Sequence, residues 1–260
     1  MARIYPLFSS SKGNAAFLGT KDGGILIDAG VSLKRLRTAM ERCGLPMEAV
    51  QAVFVTHDHA DHIAGLPMLT KQYAVPVYAQ AVTRENLFAK CCIAPERECR
   101  IMEKTVTVCG MQLTAFDTPH DTDRSCGYRI TMPDGRICAV CTDLGHMPEN
   151  VKQALNGCDL VLLEANYDEQ MLRNGPYPDY LKARIASDRG HLSNSVSGQT
   201  ARMLVQSGTT RIVLGHLSQE NNRPDIAEET VTAALAGFVR GQDYLLETAP
   251  PETNGRMIAF

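Results

Sequence analysis

Residues 56 to 62 read Thr56-His57-Asp58-His59-Ala60-Asp61-His62, five ionisable side chains in six consecutive positions directly after the apolar run Ala52 to Val55. A structural loop has no use for that density of imidazole and carboxylate. A divalent cation does, because imidazole nitrogens and carboxylate oxygens without thiolates are the donor set that suits Zn, Mn or Fe. His57 and His59 stand two apart and share one side of an extended segment, while Asp61 and His62 fall where a following helix begins and can turn toward a second point. One loop thus feeds two ligand sets. Two-metal hydrolytic sites place their ions about 3.5 to 4 Å apart, a separation that one bridging carboxylate spans.

The THxHxDH run, a strand-loop-helix signature, resembles that of the metallo-β-lactamase superfamily and matches it without a gap. The family's other metal motifs find counterparts in order: Asp28 in Ile27-Asp28-Ala29-Gly30, His120 in Thr118-Pro119-His120-Asp121, Asp143 in Cys141-Thr142-Asp143, and His216 in Leu214-Gly215-His216. The resemblance implies two divalent ions (Zn, Mn or Fe), one held by His57, His59 and His120, the other by Asp61, His62 and His216, with Asp143 bridging. Asp28 would orient a histidine ligand. Cys138-Ala139-Val140-Cys141 has CxxC spacing, but in a strand those two side chains face opposite sides, which argues against a metal or redox site. His146 has no motif role.

Two metals supply hydroxide at neutral pH for thioesters, lactams and phosphodiesters alike, so the metal motif does not choose a substrate. Asp143 and His62 depart from the best-known zinc β-lactamases, and the 44 residues after His216 leave limited room for the helical substrate domain of hydroxyacylglutathione hydrolases. A second constellation points to phosphodiester chemistry. Leu162-Leu163-Glu164-Ala165, Gly190-His191-Leu192-Ser193-Asn194 and Gly215-His216-Leu217-Ser218 are similar to the ribonuclease Z elements in the same order, with Asn194 in place of a threonine. The resemblance implies that His191 donates a proton or clamps the transition state and that Glu164 holds its ring. Asp61, Glu164 and His191 are the expected catalytic residues. Ser9-Ser10-Ser11-Lys12-Gly13-Asn14, His120-Asp121 and Thr142-Asp143-Leu144-Gly145 resemble the compact YycJ/WalJ-like group, which implies a 5′ to 3′ DNA exonuclease. The alternatives are a PhnP-like small-molecule phosphodiesterase or a thioesterase of the same fold. A binding module would leave the metal set, Glu164 and His191 without purpose.

These groups must be positioned by short apolar strands. Ala15 to Gly19 and Ile25 to Asp28 flank a turn at Lys21-Asp22-Gly23-Gly24, and Ser32 caps a helix with apolar period through Arg42, closed by Gly44 and Pro46. His62 to Tyr73 reads as one helix, Val75 to Tyr78 as a strand, and Thr83 to Lys104 as a short helix with a basic loop. Strands at Thr105 to Phe116, a hairpin around Pro133-Asp134-Gly135, and Leu160 to Leu163 follow, with a helix near Pro148 to Leu155. Helices near Tyr167 to Leu172, Tyr180 to Ser187 and Ser193 to Ser207 precede a strand at Arg211 to Leu214, a helix near Asp225 to Phe238 and a strand at Met257 to Phe260. Two blocks of strands each followed by helices predict an α/β fold of αββα type, two mixed sheets face to face with helices outside, over a single domain 1–260. The start of the Ser193 helix offers free amides for a phosphate. Arg84, Lys90, Arg97, Arg100 and Lys104, with Arg173, Lys182, Arg184 and Arg189, could track a nucleic-acid backbone.

Composition is that of an ordinary globular chain. The chain has 260 residues, 44% hydrophobic and 21% charged, and a formal charge of -3, so no global basic field announces nucleic acid and any anionic substrate must be drawn locally. No run approaches the roughly 20 apolar residues of a membrane span, and the start MARIYPLFSSSKGN lacks signal-peptide character. Nine cysteines, an odd number, fit a reducing compartment. Free, mostly buried thiols, a cytoplasmic location, DNA as substrate and no membrane partner are the expectations.

Overall fold

The computed structural model describes residues 2–20 and 23–260. Of the turn expected at Lys21-Asp22-Gly23-Gly24, the first two residues lie outside the described residues and the glycines begin a strand. The first sheet contains β1 (Arg3–Ser10), β2 (Gly13–Thr20), β3 (Gly23–Ile27), β4 (Val50–Phe54), β5 (Val77–Ala79), β6 (Cys99–Ile101) and β14 (Ile258–Ala259), in the order β14-β1-β2-β3-β4-β5-β6. The second contains β7 (Val106–Val108), β8 (Met111–Asp117), β9 (Cys126–Thr131), β10 (Ile137–Cys141), β11 (Leu160–Glu164), β12 (Arg211–Gly215) and β13 (Leu245–Thr248), in the order β13-β12-β11-β10-β9-β8-β7. β1 to β3 pair antiparallel and β3 to β6 parallel, while β7 to β10 pair antiparallel and β10 to β13 parallel. Both sheets are mixed, as the strand pattern predicts.

Parallel neighbours need crossover connections, and helices supply them. α1 (Leu33–Arg42), α2 (Ala60–Ile63), α3 (Leu66–Gln72) and α4 (Ala81–Ala89) cross the first sheet; α5 (Glu149–Leu155), α6 (Glu169–Asn174), α7 (Asp179–Ile185), α8 (Asn194–Gln206) and α9 (Pro224–Ala234) cross the second. The parallel strands are buried on both faces, which is why they read as unbroken apolar runs. On β3, Ile25 and Ile27 enter the core between the sheets, whereas Leu26 enters the layer under α1 and α3. Leu160 and Leu162 of β11 do the same opposite Val161 and Leu163. At the centre Phe54 stacks on Tyr78 at 4.7 Å and meets Tyr128 edge-on at 5.7 Å. The Tyr128 hydroxyl donates to Val55 O at 2.7 Å, tying the second sheet to the strand end that leads into the histidine loop.

The helix expected over His62 to Tyr73 is two helices broken at Gly65. There the backbone approaches the loop after β3, Gly65 N donating to Ala29 O at 2.8 Å, and a Cβ would lie 2.3 Å from Val31 O. β1, β6 and β13 go beyond the strands read from the sequence. All nine cysteines are free, five of them buried, and Cys138 and Cys141 face different cores from one strand. No helix among the described residues is long and apolar enough to cross a membrane.

Candidate metal centre and active site

Every expected site residue except His191, which lies in the loop between α7 and α8, stands at the carboxyl end of a strand or just beyond it, the place where open α/β sheets bind ligands. Asp28 follows β3, His57 to His62 follow β4, His120 follows β8, Asp143 follows β10, Glu164 ends β11, and His216 follows β12. Asp28, Asp143 and His216 adopt left-handed backbone, with φ of 61°, 62° and 54°. That conformation is uncommon outside glycine and persists where surrounding contacts fix it. Here Asp28 N donates to Phe54 O at 2.8 Å and His216 N to Ser9 Oγ at 2.8 Å. The strand ends thus peel away and aim both side chains inward.

The ligand atoms form overlapping sets, each within 4.8 Å: His57, His59 and His120; Asp61, His62 and His216; His57, His62 and Asp143; and Asp143, Glu164, His191 and His216. Asp143 joins them. Its Oδ1 lies 3.7 Å from His120 Nε2, while its Oδ2 lies 3.4 Å from His62 Nε2. His57 Nε2, His216 Nε2 and Asp143 Oδ2 are buried without a hydrogen-bond partner. Burying such atoms unpaired costs about 1–3 kcal/mol each, a cost that ion coordination removes. The donor set and these orphaned atoms fit divalent metal.

The remaining ring nitrogens are engaged so that Nε2 is left to face the pocket. His62 Nδ1 lies 2.7 Å from Asp28 Oδ2, and Thr56 donates to the same carboxylate through its amide and hydroxyl, both at 2.8 Å. His120 Nδ1 lies 3.0 Å from Gly190 O. Glu164 Oε1 lies 2.8 Å from His191 Nδ1 and 2.9 Å from His216 Nδ1, while Oε2 accepts from Leu144 N at 3.2 Å and Leu192 N at 3.0 Å. One buried carboxylate therefore holds two histidines and two loop amides.

Electrostatics follow the same division. Burial pushes His57, His59 and His120 below the ordinary histidine range, reinforced at His57 by neighbouring imidazoles, so these rings are neutral as ligation requires. Burial also acts downward on His62 and His216, but Asp143 with Asp28, Asp61 and Glu164 outweighs it, lifting His62 to about 9 and His216 well above its ordinary value. Burial would raise Asp61, Asp143 and Glu164, yet the histidines beside them hold all three low. The pocket is rich in negative charge and retains protons where cations would sit. Its open side is marked by His59, Asp61 and His191, whose side chains are 30%, 26% and 20% exposed.

One expectation needs correction. The first amides of α8 are not free for phosphate: Asn194 N donates to Tyr167 O, Val196 N to Ser193 Oγ, and the Ser195 amide to the Glu169 carboxylate. An acid already occupies that helix start. Most of the basic residues are also committed: Lys90 to Asp58, Arg84 to Cys99 O, Arg97 to Lys71 O, Arg100 to Glu98, Lys182 to Arg173 O, Arg184 to Asp121, and Arg189 to His120 O and Thr122 O. They brace loops first. His146 is exposed, bonded to Asp188 O, and belongs to none of the candidate ligand groups among the described residues.

Asn14 and Asp121 were legible only as motif neighbours. Asn14 Nδ2 lies 3.2 Å from Asp61 Oδ2 and 3.1 Å from His62 Nε2. Asp121 Oδ1 is buried, without a hydrogen-bond partner, 3.3 Å from His120 Nε2. A carboxylate next in sequence to a candidate histidine was the one available signal.

The beta-lactamase superfamily domain matches residues 24–217, a span that contains all seven candidate ligands. The chain is 32% identical over 254 residues to exodeoxyribonuclease WalJ of Streptococcus pneumoniae serotype 2, covering 95% of this chain and 94% of that protein. It is 31% identical over 252 residues to exodeoxyribonuclease YycJ of Bacillus anthracis, covering 95% and 94%. The solved structure of the metallo-beta-lactamase fold protein YhfI from Bacillus subtilis superposes with a TM-score of 0.74 at 15% identity, covering 99% of this chain and 98% of that one. Strand ends, ligand order and these similarities agree: the chain belongs to the metallo-β-lactamase superfamily and is a metal-dependent hydrolase.

Proposed function

We propose that this single-domain chain is a two-metal phosphodiesterase acting on DNA in the cytoplasm, a 5′ to 3′ exodeoxyribonuclease. The observation that carries the reading is the Glu164-His191 pair on the open side of the ligand cluster, taken with full-length relatives named exodeoxyribonucleases. His57, His59 and His120 would hold one ion, Asp61, His62 and His216 the other, and Asp143 would touch both through its two oxygens. Bound ions lower the pKa of water and neutralise phosphate charge. His191 stands near His120 and His216, ring centroids 5.1 and 5.2 Å away, at the edge where a leaving oxygen would emerge. Donation from Nε2 requires protons on both ring nitrogens, and the Glu164 carboxylate opposite Nδ1 supplies the countercharge.

The test is a metal-titrated assay with end-labelled single-stranded and duplex DNA, bis-p-nitrophenyl phosphate and a glutathione thioester. Stepwise release of nucleotides from the 5′ end is the expected result. Turnover of the small diester or the thioester with intact DNA overturns the reading.

A further inference from the structure

Between β11 and α8 the chain makes an excursion through α6 and α7 before it returns to the ligand cluster at His191. α7 buries none of its residues, so no core explains its presence. The excursion is fastened to the metal pocket at its C-terminal end. Arg184 Nε pairs with the Asp121 carboxylate, Arg189 Nε donates to His120 O at 2.9 Å, and His191 N donates to Ile185 O at 2.9 Å. Gly145 packs so closely on this segment that a Cβ would lie 2.3 Å from the Asp188 carbonyl carbon. α7 is thereby a fixed extension of the site.

Two residues on its outer face lie four apart and so are neighbours on the helix surface. Tyr180 is 77% exposed, the most exposed large hydrophobic side chain among the described residues. The Arg184 side chain is 58% exposed, and with Nε turned to Asp121 its two terminal nitrogens have no partner among the described residues. Through Asp121 this guanidinium is one carboxylate away from His120. A cation with free donors beside the reacting centre and an aromatic face about 6 Å further along the helix is the pairing that single-stranded nucleic acid uses, a phosphate contact followed by a stacked base.

We propose that the Tyr180-Arg184 face of α7 receives the substrate strand as it leaves the metal pocket, Arg184 binding a backbone phosphate and Tyr180 stacking on an unpaired base. This rests on the nuclease reading above. It assigns the substrate strand beyond the pocket as single-stranded or frayed, because a base stacked between its neighbours inside a duplex offers no free face to Tyr180.

The experiment compares metal-loaded full-length wild type with Tyr180→Ala, Tyr180→Trp, Tyr180→Leu and Arg184→Ala. For each, kcat/KM on a 5′-phosphorylated single-stranded oligodeoxynucleotide is divided by kcat/KM on bis-p-nitrophenyl phosphate, which has no continuing strand to lay on α7. Tyr180→Ala should lower this ratio roughly 5- to 100-fold, as loss of one stacked base does, and Tyr180→Trp should restore it while Tyr180→Leu does not. Arg184→Ala should lower the ratio and flatten the log-log salt dependence of DNA binding by about 0.7. Unchanged ratios with DNA still degraded overturn the platform and leave the nuclease reading standing. Equal rescue by Leu and Trp overturns stacking. Wild-type protein that turns over only the small diester removes both proposals together.

Discussion

Glu164 Oε1 lies 2.9 Å from Nδ1 of His216, and the same oxygen lies 2.8 Å from Nδ1 of His191. One carboxylate thus couples a candidate metal ligand to the candidate proton donor. Glu164→Ala should therefore weaken metal affinity about 10- to 100-fold, the usual effect of losing a group that orients a ligand, while also lowering turnover. Asp143→Ala should go further and abolish stoichiometric binding of at least one ion. Competition with a chelator, together with elemental analysis, measures both. Retention of wild-type affinity by Glu164→Ala would show that His216 needs no support from it.

Asp28 and Thr56 form the corresponding brace on His62, with Asp28 Oδ2 at 2.7 Å from its Nδ1. Asp28→Asn preserves size but not charge, and Asp28 also accepts two bonds from Thr56. Metal affinity should fall about 10- to 100-fold while His191-dependent proton transfer stays intact. The separation shows in kcat at saturating metal: it should recover for Asp28→Asn and not for His191→Ala. Failure of excess metal to restore the Asp28 variant contradicts an orienting role.

How much of this was readable in advance depended on local against distant information. The THxHxDH run and the apolar strands sit within short windows, so the ligand loop and the layered fold are legible in the chain, whereas Asp28, His120, Asp143 and His216 each stand alone in their segments and needed the family resemblance. The break at Gly65 did not, because its cause is the Ala29 to Val31 backbone more than thirty positions away. The α8 start looked like a phosphate site because Ser193 is a sound cap, but Glu169, which fills it, lies in a separate helix. Glu164's bond to His216 crosses 52 positions, and only the parallel register of β11 with β12, which aligns Glu164 with Gly215, brings them together.

Gly30 is a packing constraint that links fold to site. A Cβ there would lie 1.6 Å from Asp61 O and 2.7 Å from Asn14 N, so Gly30→Ala must push the backbone of the ligand loop. Overpacking of this kind costs about 1–3 kcal/mol. Chemical denaturation should register that loss, and metal affinity should fall with it because Asp61 moves. A variant of wild-type stability and affinity would mean that the loop yields at no cost.

Removal of metal should make stability depend on pH in a direction fixed by His62, whose folded value of about 9 lies above its ordinary 6.5. A group raised on folding contributes fully below its unfolded value and ceases to contribute as pH rises through its folded value. Metal-free protein should therefore lose stability between about pH 6.5 and 9, as the proton that offsets Asp28, Asp61 and Asp143 departs. In the loaded protein a divalent ion replaces that proton. Ligand binding to the folded state adds stability throughout, so its Tm should stay flatter across the same window. Thermal melts of chelator-treated and metal-saturated protein at about pH 6, 7.5 and 9 decide the matter. Parallel Tm profiles in the two forms would mean that His62 holds no proton in the metal-free pocket and does not compete with an ion for its place.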